Sequence, residues 1–337
     1  MNSNKAGYIS KQDSQVLKGV SILLMLFLHL FNQMQNVNIC NTVFSIGGQP
    51  LVYLMARASN PVAFFLILGG YGMYIVYKKG DAHRVTRIIK LFIHFWIITI
   101  IFVTIGHLMF PDRYPGSFIT IIKNFTGYQT TYNGEMWFFF PYIFLSITSQ
   151  WLFIFADRYR TRYVLIILFV LHLFASFLIS RYRDNFLYPN YWIYNPVRYI
   201  NLMFPFFMGA MAAKHHVFSF SPNFNWQLFA WPLLIIVIII RCMFETSILN
   251  TFYAFVFFFL FLKTSRFQFI NKVLVFLGKH SMNMWMIHTW FCYYLFHDFI
   301  YGFKYPIIIF VVLVIISVTC SMIVNVICEP IKKMSKV

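Results

Sequence analysis

Lys18-Gly-Val-Ser-Ile-Leu-Leu-Met-Leu-Phe-Leu-His29 is apolar apart from one serine, opens on a cation and closes on a histidine. It reads as a helix surrounded by apolar material on all sides. Eleven steps at 3.6 residues per turn make about three turns, so Lys18 and His29 share one face, roughly 16 Å apart along the axis. In a hydrocarbon slab about 30 Å thick, that spacing puts His29 near the middle. An ionisable side chain at such depth is costly. It marks a functional position, or else a neutral imidazole bonded to a neighbouring helix.

The rest of the chain supports a membrane setting. Its 337 residues are 60% hydrophobic and only 11% charged, with 43 Phe, whereas a soluble domain carries about 25% charged residues. The expected fold class is all-α: one polytopic membrane domain over residues 1–337. The net charge of +18 sits in short clusters between apolar runs, which points to membrane topology and not to nucleic acid. Five scattered cysteines, with no CxxC and no His/Cys cluster, indicate neither a disulfide framework nor a metal site. Lys5, Lys11 and Lys18 precede the first apolar run as in a signal peptide. No small-x-small cleavage site follows it, so it reads as an uncleaved first span.

Ten apolar segments follow in order, near 16–34, 60–77, 87–108, 136–155, 163–180, 196–213, 226–243, 247–262, 279–297 and 305–328. Most approach the ~20 residues that a spanning helix needs. With ten spans, most Lys and Arg fall on the side of the two termini, which predicts a cytoplasmic N-terminus and C-terminus. The loops of the other side are rich in Tyr, Trp, Asn and Gln. An interfacial aromatic belt accounts for most of them, and the same composition suits a sugar site.

Four short constellations could carry chemistry. Gly69-Gly70-Tyr71-Gly72 ends the second segment, where glycines serve close helix packing or close approach to a ligand. Arg84 and Arg87, three apart in a basic loop, would share a face at the start of the third helix. Guanidinium forks there suit phosphates, and positive-inside topology is the plainer account. Glu135, beside Trp137, opens the fourth segment and complements a helix dipole; it could also pair with an arginine or bind an acceptor hydroxyl. Ser281 and His288 are two turns apart on one face, with Ser281 expected near a helix start and His288 in mid-span. His94, His107 and His172 are further intramembrane candidates without a recurring context.

Taken in order, these stretches resemble the acyltransferase-3 family of bacterial integral-membrane acyltransferases. The resemblance rests on Lys18-x10-His29, on Phe64-Phe65 through Gly69-Gly70-Tyr71-Gly72, on Arg84-x-x-Arg87, and on Leu277-Gly278-Lys279-His280-Ser281 through His288, with Phe206-Phe207-Met208-Gly209 in support. Gly69 stands where the family usually has Ser, and Trp285 where it usually has Tyr. The resemblance implies an O-acetyltransferase of the bacterial inner membrane. Its donor would be acetyl-CoA and its acceptor a hydroxyl of a cell-surface or lipid-linked carbohydrate. His29, Lys18 and His288 become the expected catalytic residues. Arg84, Arg87 and Ser281 become the expected donor-binding residues, and Glu135 and Trp137 the expected acceptor-binding residues. The alternative is a polysaccharide or lipid-linked sugar exporter on the same ten-span scaffold. A proton-coupled transporter is disfavoured, because Asp13, Asp81, Asp157 and Glu329 fall at or beyond the segment ends.

Overall fold

The computed structural model describes residues 8–80, 84–219, 226–244 and 246–334. It is an all-α membrane protein. The long helices are α1 (Lys11–Phe31), α2 (Pro61–Lys78), α3 (Arg84–Met109), α4 (Phe139–Asp157), α5 (Thr161–Tyr182), α6 (Tyr191–Lys214), α7 (Trp226–Met243), α8 (Asn250–Lys263), α9 (Gln268–Thr289) and α10 (Pro306–Met334). The only strands among the described residues are the two-residue pair Ser45–Ile46 and Gln49–Pro50, joined by Gly47 and Gly48. Both of these glycines have positive φ, as a tight hairpin turn requires.

Among the described residues, six spans are long and apolar enough to cross a membrane: Lys11–Phe31, Leu51–Lys78, Val85–Met109, Gly134–Asp157, Thr161–Leu187 and Pro306–Lys332. α7 and α8 are apolar but shorter. α6 and α9 fail the same test for a physical reason. Each carries polar side chains that the fold buries, among them Asn195 and Arg198 on α6 and Ser281, Asn283 and His288 on α9. Inward polarity dilutes the hydropathy by which a span is recognised.

Local signals start the helices as expected. Ser10 caps α1 by accepting from the Asp13 N–H at 3.0 Å, and its hydroxyl donates to the Asp13 carboxylate at 2.6 Å. Pro61 occupies the first turn of α2, where no N–H is needed. α9 departs most from the sequence reading. It begins at Gln268, well before 279, because its first turns are amphipathic rather than uniformly apolar. Ser281 is therefore mid-helix and not near a helix start, and its hydroxyl donates to the Gly278 carbonyl at 2.9 Å. His288 lies in the last turn of α9, as His29 does in α1, and a π-helical turn, Trp290–Tyr294, continues the helix beyond it.

Two helix pairs form the frame. α1 lies along α9, and α2 lies along α6. Each pair closes through reciprocal glycines. A β-carbon on Gly19 would overlap the Leu274 carbonyl of α9, and one on Gly278 would overlap the Gln15 carbonyl of α1. Gly70 and Gly209 relate in the same way to the backbones of Phe206 and Ile67. Small residues at such crossings let helices approach to backbone contact. The C-terminal ends of α2, α4 and α6 are tied together on one side. There Asp157 accepts from Lys78 at 2.6 Å, from Tyr74 at 3.0 Å and from Lys214 at 2.9 Å.

Candidate active site

The α1–α9 pairing decides where the histidines go. With Gly19 against Leu274 and Gly278 against Gln15, the two helices run side by side, and their far ends bring His29 to His288. His29 Nδ1 is 2.6 Å from His288 Nε2, and the rings stack with centroids 4.9 Å apart. Both side chains are buried, His288 completely. His288 Nδ1 is 3.0 Å from the Met284 carbonyl oxygen.

That carbonyl fixes the proton pattern. A carbonyl only accepts, so His288 Nδ1 carries the proton. In the neutral ring, His288 Nε2 is then an acceptor. His29 Nδ1 must donate to it. His29 Nε2 is left with its lone pair, and it faces the Glu135 carboxylate at 3.5 Å. Neutral His29 thus offers a base at one defined nitrogen, and protonation there creates an imidazolium beside a carboxylate.

Glu135 belongs to a 3-10 turn, Gly134–Phe138, that precedes α4. Two tethers hold this turn against the end of α9. Asn133 exchanges two hydrogen bonds with Thr289, at 2.8 and 3.0 Å, and accepts from the Glu135 N–H at 3.2 Å. The Gly134 N–H donates to the Tyr294 hydroxyl at 2.7 Å. The partner of Glu135 is therefore a histidine, where the sequence suggested an arginine or a helix dipole. Nothing in the sequence ties Asn133 to Thr289; only tertiary packing brings them together.

Two chambers meet at this point. The first, about 490 Å³, is lined mainly by apolar residues of α1, α2, α3, α4 and α9. Lys18, Arg87 and Ser281 line it, and so do His29 and Glu135. Lys18 and His29 do face one cavity, as their spacing predicted. Gly69 and Gly72 border the same space, whereas Gly70 is consumed in packing against α6. The packing reading of the glycine cluster holds at Gly70. The side chain of Arg84 lies outside the described residues, so its place in this group is open.

The second chamber, about 580 Å³, is polar and aromatic. Its lining includes Asn60, Arg183, Tyr191, Tyr194, Arg198 and Asn201. Val62, Glu135 and Trp137 border both chambers, so the carboxylate that faces His29 stands at the seam. Arg198, near the start of the sixth apolar segment, reads from the sequence only as one more topology cation.

The other histidines have structural partners. His94 Nδ1 is 2.7 Å from the Asn283 amide oxygen, His172 Nδ1 is 2.7 Å from the Asn201 carbonyl, and His107 Nδ1 is 2.6 Å from the Tyr114 carbonyl. Among the described residues, no group of His, Cys, Asp and Glu could hold a metal ion.

Comparison with protein families supplies the class of the protein. Residues 12–326, nearly the whole chain, match the acyltransferase-3 family, described as an acyltransferase domain. The protein belongs to that family and is a multi-pass membrane acyltransferase. Neither the curated proteins nor the solved structures contain a match.

Proposed function

We propose that this protein is an O-acetyltransferase of the bacterial inner membrane. It takes an acetyl group from cytoplasmic acetyl-CoA and delivers it to a hydroxyl of a cell-surface or lipid-linked carbohydrate. One observation carries the reading. A histidine with a defined basic nitrogen stands where an apolar chamber, with cations in its lining, meets a polar aromatic one.

Lys18, about 16 Å along α1 from His29, and Arg87, which lines the same chamber, suit the phosphates of the donor. Its acyl-bearing arm would run toward the seam, about 16 Å along α1. The acceptor hydroxyl would enter from the second chamber. His29 Nε2 would take the hydroxyl proton while the oxygen attacks the thioester carbonyl. The carbon–sulfur bond then breaks, and the imidazolium returns the proton to the departing thiolate. His288 orients His29, and Glu135 stabilises its charged form. In the ten-span topology with both termini cytoplasmic, the first chamber opens to the cytoplasm and the second to the cell exterior.

The test is acetyl transfer in vesicles carrying the purified protein, with radiolabelled acetyl-CoA and glycan from the source cell. Label should move onto glycan with wild type and not with His29→Ala. Transfer by a fully active His29→Ala would remove His29 from the mechanism. Glycan transport without label incorporation would favour the exporter. An Arg84→Ala plus Arg87→Ala variant with unchanged acetyl-CoA dependence would overturn the donor site.

A further inference from the structure

Arg198 is the least expected side chain in the second chamber. It is 8% exposed. Its guanidinium carbon lies 3.6 Å from the ring centroid of Tyr194, 5.3 Å from that of Trp137 and 5.7 Å from that of Tyr191. Three rings stabilise the charge through their faces. None of them accepts the in-plane N–H fork. Among the described residues, no carboxylate and no hydrogen-bond acceptor engages Arg198. Yet it lines the chamber, so its donors are turned to the space within. A buried guanidinium without an acceptor is costly, and its planar fork fits a carboxylate or a phosphate through two parallel bonds.

The neighbouring charges set a direction. Arg183 lines the same chamber and pairs with Asp184 at 3.1 Å. Glu135 stands at the seam, engaged with His29. An acidic group is repelled from the seam and drawn to Arg198. Trp137 lies two residues from Glu135 and within cation–π reach of Arg198, so it links the two positions. Asn60, Ser176 and Asn201 offer hydrogen bonds to hydroxyls around the same space.

We propose that the second chamber selects an acidic saccharide: a hydroxylated sugar unit bearing a carboxylate or phosphate, held by Arg198 so that a hydroxyl of the same molecule reaches the seam. This rests on reading the chamber as the acceptor site. It adds that the acceptor is anionic and that Arg198 determines specificity.

The experiment is equilibrium dialysis of the full-length, detergent-solubilised protein against three labelled probes: trigalacturonate, an oligomer of glycerol phosphate, and neutral maltotriose. At least one acidic probe should bind ten-fold or more tightly than maltotriose. That advantage should weaken as salt rises, since the attraction is between charges. Arg198→Gln should erase the preference, and Arg198→Lys should keep part of it. The two acidic probes separate a carboxylate from a phosphate acceptor. Maltotriose binding as tightly as both acids, a preference insensitive to salt, or a preference unchanged in a folded Arg198→Gln each overturns the proposal. The salt series uses wild type alone, so it decides even if Arg198→Gln fails to fold. Acid-selective binding with no acetyl transfer to the bound saccharide would leave the anion site standing and overturn the reading of this chamber as the acetyl acceptor site. Transfer to neutral glycan without acid selectivity would do the reverse.

Discussion

The α1–α9 and α2–α6 pairs are closed by the same device and carry different cargo. In each, two glycines set one helix backbone against the other. At its glycines the α2–α6 crossing sets backbone against the backbones of Phe206 and Ile67 and serves as frame, while Arg198, about three turns away on α6, lines the second chamber. The α1–α9 crossing sets Lys18, His29 and Ser281 around one chamber and places the fully buried His288 against His29. Equal packing can therefore have unequal functional weight. At α2–α6 a small displacement costs stability. At α1–α9 it also moves a 2.6 Å contact between two histidines.

The largest effect should come from removing the cargo and leaving the frame. His29→Ala should lower acetyl transfer by about 10³-fold or more, within the range that a positioned base supplies, while the thermal midpoint in detergent shifts by only a few degrees. A midpoint collapse would mean that the histidine pair is frame as well.

Disturbing the frames should come next. Gly278→Ala and Gly209→Ala each force a β-carbon against a carbonyl, costing about 1–3 kcal/mol or more. Both should lower the midpoint by similar amounts. Transfer per folded molecule should fall at least ten-fold for Gly278→Ala and stay within about two-fold for Gly209→Ala. Equal losses would erase the distinction between the pairs.

Arg87→Ala tests the cationic lining of the α1–α9 chamber. The expected outcome is a roughly ten-fold rise in KM for acetyl-CoA with kcat and acceptor KM nearly unchanged, as for lost uniform binding. A fall in kcat alone would place Arg87 elsewhere in the reaction.

The smallest effect belongs to His172→Gln. Its ring is spent on the Asn201 carbonyl, away from the histidine pair, so transfer should stay within about two-fold. Lost transfer with intact folding would make His172, which lines the second chamber, part of the acceptor site.

The amino-acid sequence by itself determined the all-α membrane character, because hydropathy is a local sum over each run. It also determined that Lys18 and His29 face one way, because helical period fixes that angle within a single element. The ordered motifs gave the acyltransferase-3 family. Tertiary structure decided what each motif does. Gly70 packs while Gly69 and Gly72 line a chamber, since only the α6 backbone distinguishes them. Glu135 became a histidine partner because Asn133 meets Thr289. The early start of α9 escaped hydropathy because its first turns mix Gln268, Asn271 and Lys272 with apolar residues. Arg198 escaped notice because a cation inside an apolar run has no meaning until three rings and an open chamber surround it. Contacts between residues distant in the chain depend on which surfaces the helices bring together, and no local period encodes that choice.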